Sequence, residues 1–285
     1  MLKHRILFGL LMTALFAGLA IFDGWLDNSV TASAADDRPV QATLLAVLIA
    51  AALSLGAVEL GRLAAGEGLV ILNPVCMAGV VLLATAWYWP HFIPIPQGVY
   101  LLLVMAFALA GMFLQQYARF GTVGVLSNCG VSSFCLLYLG LFGAFVLGIR
   151  IDVGLWPVLM FVFVVKCSDI GAYTFGKTFG KYKLAPRVSP GKTWEGMVGA
   201  IVAASLVSVA FAVVFGIMAV WAALAFGVCM AVAGQLSDLA ESMLKRSAQQ
   251  KDSSNHVPGF GGILDVIDSP LFAAPVAYVF FMSVA

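Results

Sequence analysis

Long apolar runs separated by short polar breaks organise this chain. The apolar residues come in unbroken stretches rather than amphipathic stripes, so the helices they predict face apolar surroundings on most sides. Runs near 5–22, 40–60, 69–89, 98–117, 122–148, 154–176, 196–215, 217–236 and 270–285 approach the ~20 residues that a helix needs to cross ~30 Å of hydrocarbon. A helix also satisfies its own backbone polar groups, as hydrocarbon demands. The pattern predicts an all-α, polytopic integral membrane protein with about nine transmembrane helices and cytoplasmic polar loops.

Composition agrees. Of 285 residues, 62% are hydrophobic and 10% charged, against about 25% charged in soluble domains. The formal net charge of +1 discriminates little, and no nucleic-acid partner is expected. Cys76, Cys129, Cys135, Cys167 and Cys229 all fall in predicted spans without a CxxC pair, and read as small core hydrophobes.

Orientation follows from lysine and arginine in the short loops. Lys3 and Arg5 precede the first span, whereas the next connection carries Asp23, Asp27, Asp36 and Asp37. This places the N-terminus in the cytoplasm. Alternation then puts Arg62, Arg119, the loop from Lys177 to Lys192 and the stretch after Ser242 inside, with the uncharged PHFIPIPQG outside. Arg150, beside Asp152, is the one basic residue on the outer side. The ASA at Ala32 to Ala34 lies too far beyond the first apolar run for a cleavage site, so that run is expected to remain as an anchor.

No internal repeat stands out, but the two halves differ. Residues 1–150 predict nearly featureless hydrophobic helices, whereas nine of the fifteen lysines and arginines lie between Lys166 and Lys251. The division predicts an N-terminal transmembrane region, 1–150, and a C-terminal catalytic region with cytoplasmic loops, 151–285.

Three polar clusters carry the candidate chemistry. In the first, Lys166 and Asp169 lie three residues apart inside a predicted span, where an unpaired charge is costly. They read either as a mutual ion pair or as Asp169 facing a polar cavity. Beyond them, SPGKTWEG places Pro190 and Gly191 as turn residues before Lys192 and Thr193, which open a helix. A lysine beside backbone amides at a helix N-terminus suits phosphate. Only GKT matches a nucleotide-binding P-loop: the upstream glycine is missing and no strand is expected before it. A basic loop that sets topology and touches anionic lipid is the simpler alternative.

The second cluster, GQLSDLAESMLKR, sets Asp238, Glu241, Ser242 and Lys245 on one helical face. A solvated helix end has the same pattern. Carboxylates close to lysines also suit a divalent cation with a polyphosphate, because magnesium takes one or two carboxylates and completes its sphere with water and phosphate oxygens. In the third, HVPGFGGILDVID, a glycine turn containing Gly261 and Gly262 leads to Asp265 and Asp268 just before an apolar span. Glycines permit close backbone approach to a ligand.

On SDIGAYTFGKTFGKYKLAPRVSPGKTWEG, LSDLAESMLKR and KDSSNHVPGFGGILDVID, in that order and spacing, the chain resembles the phosphatidate cytidylyltransferase family. The close match covers about the last 120 residues, with Glu59 in GAVELGRL similar to a glutamate often found there. The resemblance implies transfer of a cytidylyl group from CTP to phosphatidic acid, giving CDP-diacylglycerol and pyrophosphate. It implies magnesium on Asp238, Asp265 and Asp268, with room for a second cation, and a catalytic set of Asp238, Lys245, Asp265 and Asp268. Substrate binding would fall to Asp169, Ser189, Lys192, Thr193, Ser242, Arg246, Lys251, Asp252, Gly261 and Gly262. A homodimer, membrane-lipid partners and a bacterial inner-membrane location with a cytoplasmic site are implied as well.

Two positions depart from the family pattern, PGHGG followed by LDRID: Phe260 replaces the histidine and Val266 the arginine. Valine cannot clamp a phosphate as arginine does. His256 would replace the lost histidine only through a rebuilt loop. The alternatives are a catalytically impaired relative that binds lipid or a partner, a CTP-dependent lipid kinase, and a transporter of anionic solutes.

Overall fold

A computed structural model describes residues 2–30, 40–250 and 261–284, with side chains described from residue 11 onward. The apolar runs become helices α1 (Leu2–Leu26), α2 (Thr43–Gly66), α3 (Asn73–Ala84), α4 (Gln97–Phe120) and α5 (Val125–Val153). They continue as α6 (Leu155–Phe179), α7 (Trp194–Phe215), α8 (Val220–Ser247) and α9 (Leu264–Val284). Among the described residues, seven helices are long and apolar enough to cross a membrane; the apolar stretches Leu11–Leu26 in α1 and Asn73–Ala84 are shorter. The chain is thus a helical, polytopic membrane protein in which α3, at 12 residues, is the short helix among the expected spans. In α3, Pro74 sits in the first turn, where its missing N–H costs nothing, and the regular helix stops at Ala84.

The all-α architecture carries one short hairpin, between α6 and α7. Strand β1 (Lys183–Ala185) pairs antiparallel with β2 (Ser189–Thr193), so GKT lies within a strand, and Pro190 and Gly191 are strand residues rather than a turn. The register shifts between the pairs Lys183 with Thr193 and Ala185 with Ser189. Such an irregularity re-aims side chains of the longer strand. Thr193 then caps α7, its hydroxyl accepting from Gly196 N at 3.1 Å.

Helix α5 contains two π-helical stretches, Leu136–Leu141 and Ile149–Val153. It ends at Gly154, whose φ of +123° turns the chain directly into α6. Helix α9 starts at Leu264, ahead of the expected boundary at 270, and runs through Pro270 and Pro275. Proline removes the N–H that would bond four residues back, so Pro270 leaves the Val266 carbonyl without its usual helical donor.

Two large apolar cores result, with a small third one where Ala20 of α1 meets Leu155 and Leu159 of α6. Of the large cores, one lies among α2, α3, α4 and α5 with Leu264 and Leu271 of α9, and the other among α6, α7, α8 and α9. Large side chains of α4 such as Phe107 (72% exposed) and Leu114 (70%) point outward, as lipid-facing residues do. Arg150, expected as an outlying basic residue, is fully buried and pairs with Asp27 at 2.8 Å, joining α5 to the end of α1. Its sequence neighbour Asp152 instead accepts from Trp87 Nε1 at 2.6 Å and the Tyr278 hydroxyl at 2.7 Å.

Candidate active site

The polar residues of α6, β2, α8 and α9 meet at one end of the second core. Their helices alternate in direction, so the C-terminal parts of α6 and α8 and the N-terminal parts of α7 and α9 share that end. Lys192, turned inward from β2, reaches α8: its ammonium lies 2.9 Å from Asp238 Oδ2 and donates to the Gln235 carbonyl at 3.0 Å. The Ser269 hydroxyl donates to Asp238 Oδ1 at 2.8 Å and lies 3.3 Å from Asp268 Oδ1. Ser237 donates to the main-chain oxygen of Asp268 at 2.7 Å, fixing the α8–α9 contact beneath the two carboxylates.

Helix α6 supplies Lys166 and Asp169. Their charged atoms stand 3.8 Å apart, while Lys166 makes its short contact elsewhere, donating to the Val266 carbonyl at 2.7 Å. Asp169 Oδ1 is buried without a hydrogen-bond partner. The pair is thus a loose ion pair, with one oxygen of Asp169 buried close to Gly234 of α8. Asp169, Asp238, Asp268, Lys166 and Lys192 are within electrostatic reach of one another, and Glu241 also reaches Asp268, so carboxylates outnumber ammonium groups here.

Asp265 belongs to a second cluster. Instead of leading from a free glycine turn, it lies in the first turn of α9, where it accepts from Gly262 N at 2.7 Å and from Lys245 at 2.8 Å. Lys245 also bonds Glu241 Oε2 at 2.6 Å, leaving Glu241 Oε1 buried and unpartnered. Glu59 of α2 accepts from Ile263 N at 3.1 Å and Leu264 N at 2.9 Å. A carboxylate at a helix N-terminus satisfies otherwise unpaired N–H groups and complements the helix dipole. Glu59 thus anchors the start of α9, and with it the site.

The structure therefore brings Asp238 and Asp268 together with Asp169, Lys166 and Lys192, and directs Asp265 and Lys245 to each other. Among the described residues no three His, Cys, Asp or Glu side chains converge as a ready-made metal site. The two carboxylates of Asp238 and Asp268, both beside the Ser269 hydroxyl, nevertheless fit a hard cation that completes its coordination with phosphate and water oxygens. Of the other candidates, Ser189 and Ser242 are partly buried, Thr193 is occupied as a cap and Arg246 is exposed. Gly261 has a φ of +109° and Gly262 is buried. Lys251, Asp252, His256 and Phe260 lie outside the described residues.

Sequence reading missed Ser237, Ser269 and Tyr138. The signal for the serines was adjacency, since each directly neighbours a site aspartate. Tyr138 comes from the half expected to be featureless: its buried hydroxyl, on a π-helical stretch of α5, has no hydrogen-bond partner and lies within electrostatic reach of Asp268, Glu241 and Asp238. A lone tyrosine in an apolar run carries no distance information.

Apolar spans surrounding a layer of lysines and carboxylates at one end of the bundle define a helical membrane protein. The chain belongs to the cytidylyltransferase family, whose profile matches residues 39–284. It is similar to the phosphatidate cytidylyltransferase of Chlamydia muridarum, at 35% identity over 181 residues covering 59% of this chain and 58% of that one. It is also similar to the phosphatidate cytidylyltransferases of Staphylococcus haemolyticus, 36% identical over 61% of this chain and 66% of the relative, and Haemophilus influenzae, 41% identical over 45% and 46%. The match thus spans less than two thirds of the Chlamydia relative's length.

Proposed function

We propose that the chain is a phosphatidate cytidylyltransferase, converting CTP and phosphatidic acid into CDP-diacylglycerol and pyrophosphate at the cytoplasmic face of a bacterial inner membrane. The observation that carries this reading is the joining of Lys192, Asp238, Asp268, Asp169 and Lys166 at one end of four helices, in a chain of this family. The basic residues of the loops support the cytoplasmic orientation. The full set of nine spans would complete if α1 and α3 also cross, and a homodimer is part of the same proposal.

In this reading an oxygen of the lipid phosphate monoester attacks the α-phosphorus of CTP. A bond forms between them, the bond from that phosphorus to the bridging oxygen breaks, and pyrophosphate leaves with the electron pair. The nucleophile is already an anion, so alignment and charge neutralisation dominate the barrier. Lys192, held between Asp238 and the Gln235 carbonyl, would stabilise phosphate charge. Asp238 and Asp268 would hold magnesium, which would supply charge neutralisation across the phosphates. Lys245, fixed by Glu241 and Asp265, would present its charge beside the start of α9.

The test is pyrophosphate release by the purified protein in detergent with CTP, magnesium and phosphatidic acid. Asp238→Asn and Asp268→Asn are each expected to lower it by at least about a hundredfold, the scale of losing a principal charge-stabilising group. Full turnover in either variant would remove the metal assignment. Release of CDP in place of pyrophosphate when diacylglycerol replaces phosphatidic acid would make the protein a lipid kinase, and binding without any turnover an inactive relative.

A further inference from the structure

Helix α6 delivers a cation to a position on α9 where the local sequence has none. Val266 is half-buried and apolar, and its carbonyl would ordinarily accept from the N–H of residue 270, which is Pro270. Lys166, a hundred residues earlier, fills that vacancy with a 2.7 Å hydrogen bond. An ammonium has three donors. One is used on Val266, and the nearest carboxylate, Asp169, stands at 3.8 Å, too far for a hydrogen bond. The ammonium nevertheless lies within electrostatic reach of Asp268. The side chain is about one quarter exposed, so it is open to a ligand without being a freely solvated surface lysine.

A cation in an apolar helix is costly unless it is used, and neutralising Asp169 alone would favour a short pair over the loose one observed. We propose that Lys166 is a phosphate-binding residue of the site, held by the carbonyl that Pro270 frees so that its remaining donors meet a phosphoryl oxygen. It thereby supplies from α6 the positive charge that an arginine at position 266 would supply from α9. This extends the proposed reaction and rests on its site. The ligand chemistry is a phosphate carrying at least one negative charge, from either the nucleotide or the lipid.

Lys166→Gln separates the two roles, because the amide retains a donor for the Val266 carbonyl and loses the charge. Binding of CTP with magnesium, and separately of phosphatidic acid in mixed micelles, is measured on the purified full chain together with its melting temperature and pyrophosphate release. Lys166→Gln is expected to weaken one of the two ligands by about ten- to a hundredfold, the range for a lost charge-assisted hydrogen bond, with little change in melting temperature. The ligand affected identifies the source of the phosphate. Adding Val266→Arg should restore most of that binding in the Lys166→Gln background and change it little in the unaltered chain. Unchanged binding of both ligands in Lys166→Gln, a loss that only follows reduced stability, or failure of Val266→Arg to restore binding would each overturn the proposal. Since binding is read without turnover, an inactive wild type that loses ligand on Lys166→Gln would sink cytidylyl transfer and leave the role of Lys166 standing.

Discussion

At the scale of single residues, the site is defined by which buried polar atoms are paired and which are left over. Lys245 bonds both Glu241 and Asp265, all three largely buried. Replacing it by methionine preserves the bulk but leaves two carboxylates without their cation. Lys245→Met is expected to cost about 3–5 kcal/mol, as for other broken buried pairs, read as a lower melting temperature in detergent. Tyr138 is the opposite case, because its buried hydroxyl has no partner. Such a group loses its hydration without compensation. Tyr138→Phe keeps the ring stacked on Phe134, with centroids 5.5 Å apart, and should leave stability unchanged or raise it by about 1 kcal/mol. A clear drop in melting temperature would reveal a bond that the hydroxyl makes.

At the scale of elements, the closest contact bearing on the site is between α6 and α7, which together position Lys166, Asp169 and the Thr193 cap. Gly171 and Gly199 let the two backbones touch: a Cβ on Gly171 would strike the Gly199 carbonyl and Ala203, and one on Gly199 would strike Phe175. Small residues are how helices approach closely in a bilayer, where no hydrophobic force drives them together. Gly171→Ala should therefore push the helices apart at a cost of about 1–3 kcal/mol. The lower melting temperature should be accompanied by loss of CTP turnover, since Lys166 and Asp169 move with α6. An unchanged melting temperature would mean that the helices slide without strain. Element types and most spans were legible from apolar run length. The early start of α9 was not, because a proline at 270 reads as a boundary, whereas the helix passes through it and Lys166 takes the freed carbonyl.

At the scale of the whole molecule, polar contacts fasten the end of α1 to α2 and α5, beside its apolar packing on Leu155 and Leu159 of α6. Arg150 joins Asp27 of the segment following α1 and also donates to Ser29 at 2.6 Å, while Asp23 and Asp27 accept from Leu44 N and Ala42 N at the start of α2. Arg150→Leu should leave Asp27 buried and unpaired, costing about 3–5 kcal/mol, with α1 and the segment after it becoming susceptible to limited proteolysis before the remainder. Simultaneous loss of all helices in one transition would show that the pair locks the entire bundle instead.

That the chain is a helical membrane protein with its polar residues concentrated in the second half was legible in the amino-acid sequence, because run length and charge placement in a bilayer are local properties. The sequence also identified Asp238, Asp268, Asp169 and Lys192 as candidates through residue type and helical spacing. How those residues divide follows from packing between distant segments. Asp265 goes to Lys245 and Glu241, Asp238 and Asp268 share Ser269, and Glu59 reaches across two hundred residues to fix the start of α9. Spacing along a helix specifies a face, but the partner opposite that face is set by packing between distant segments.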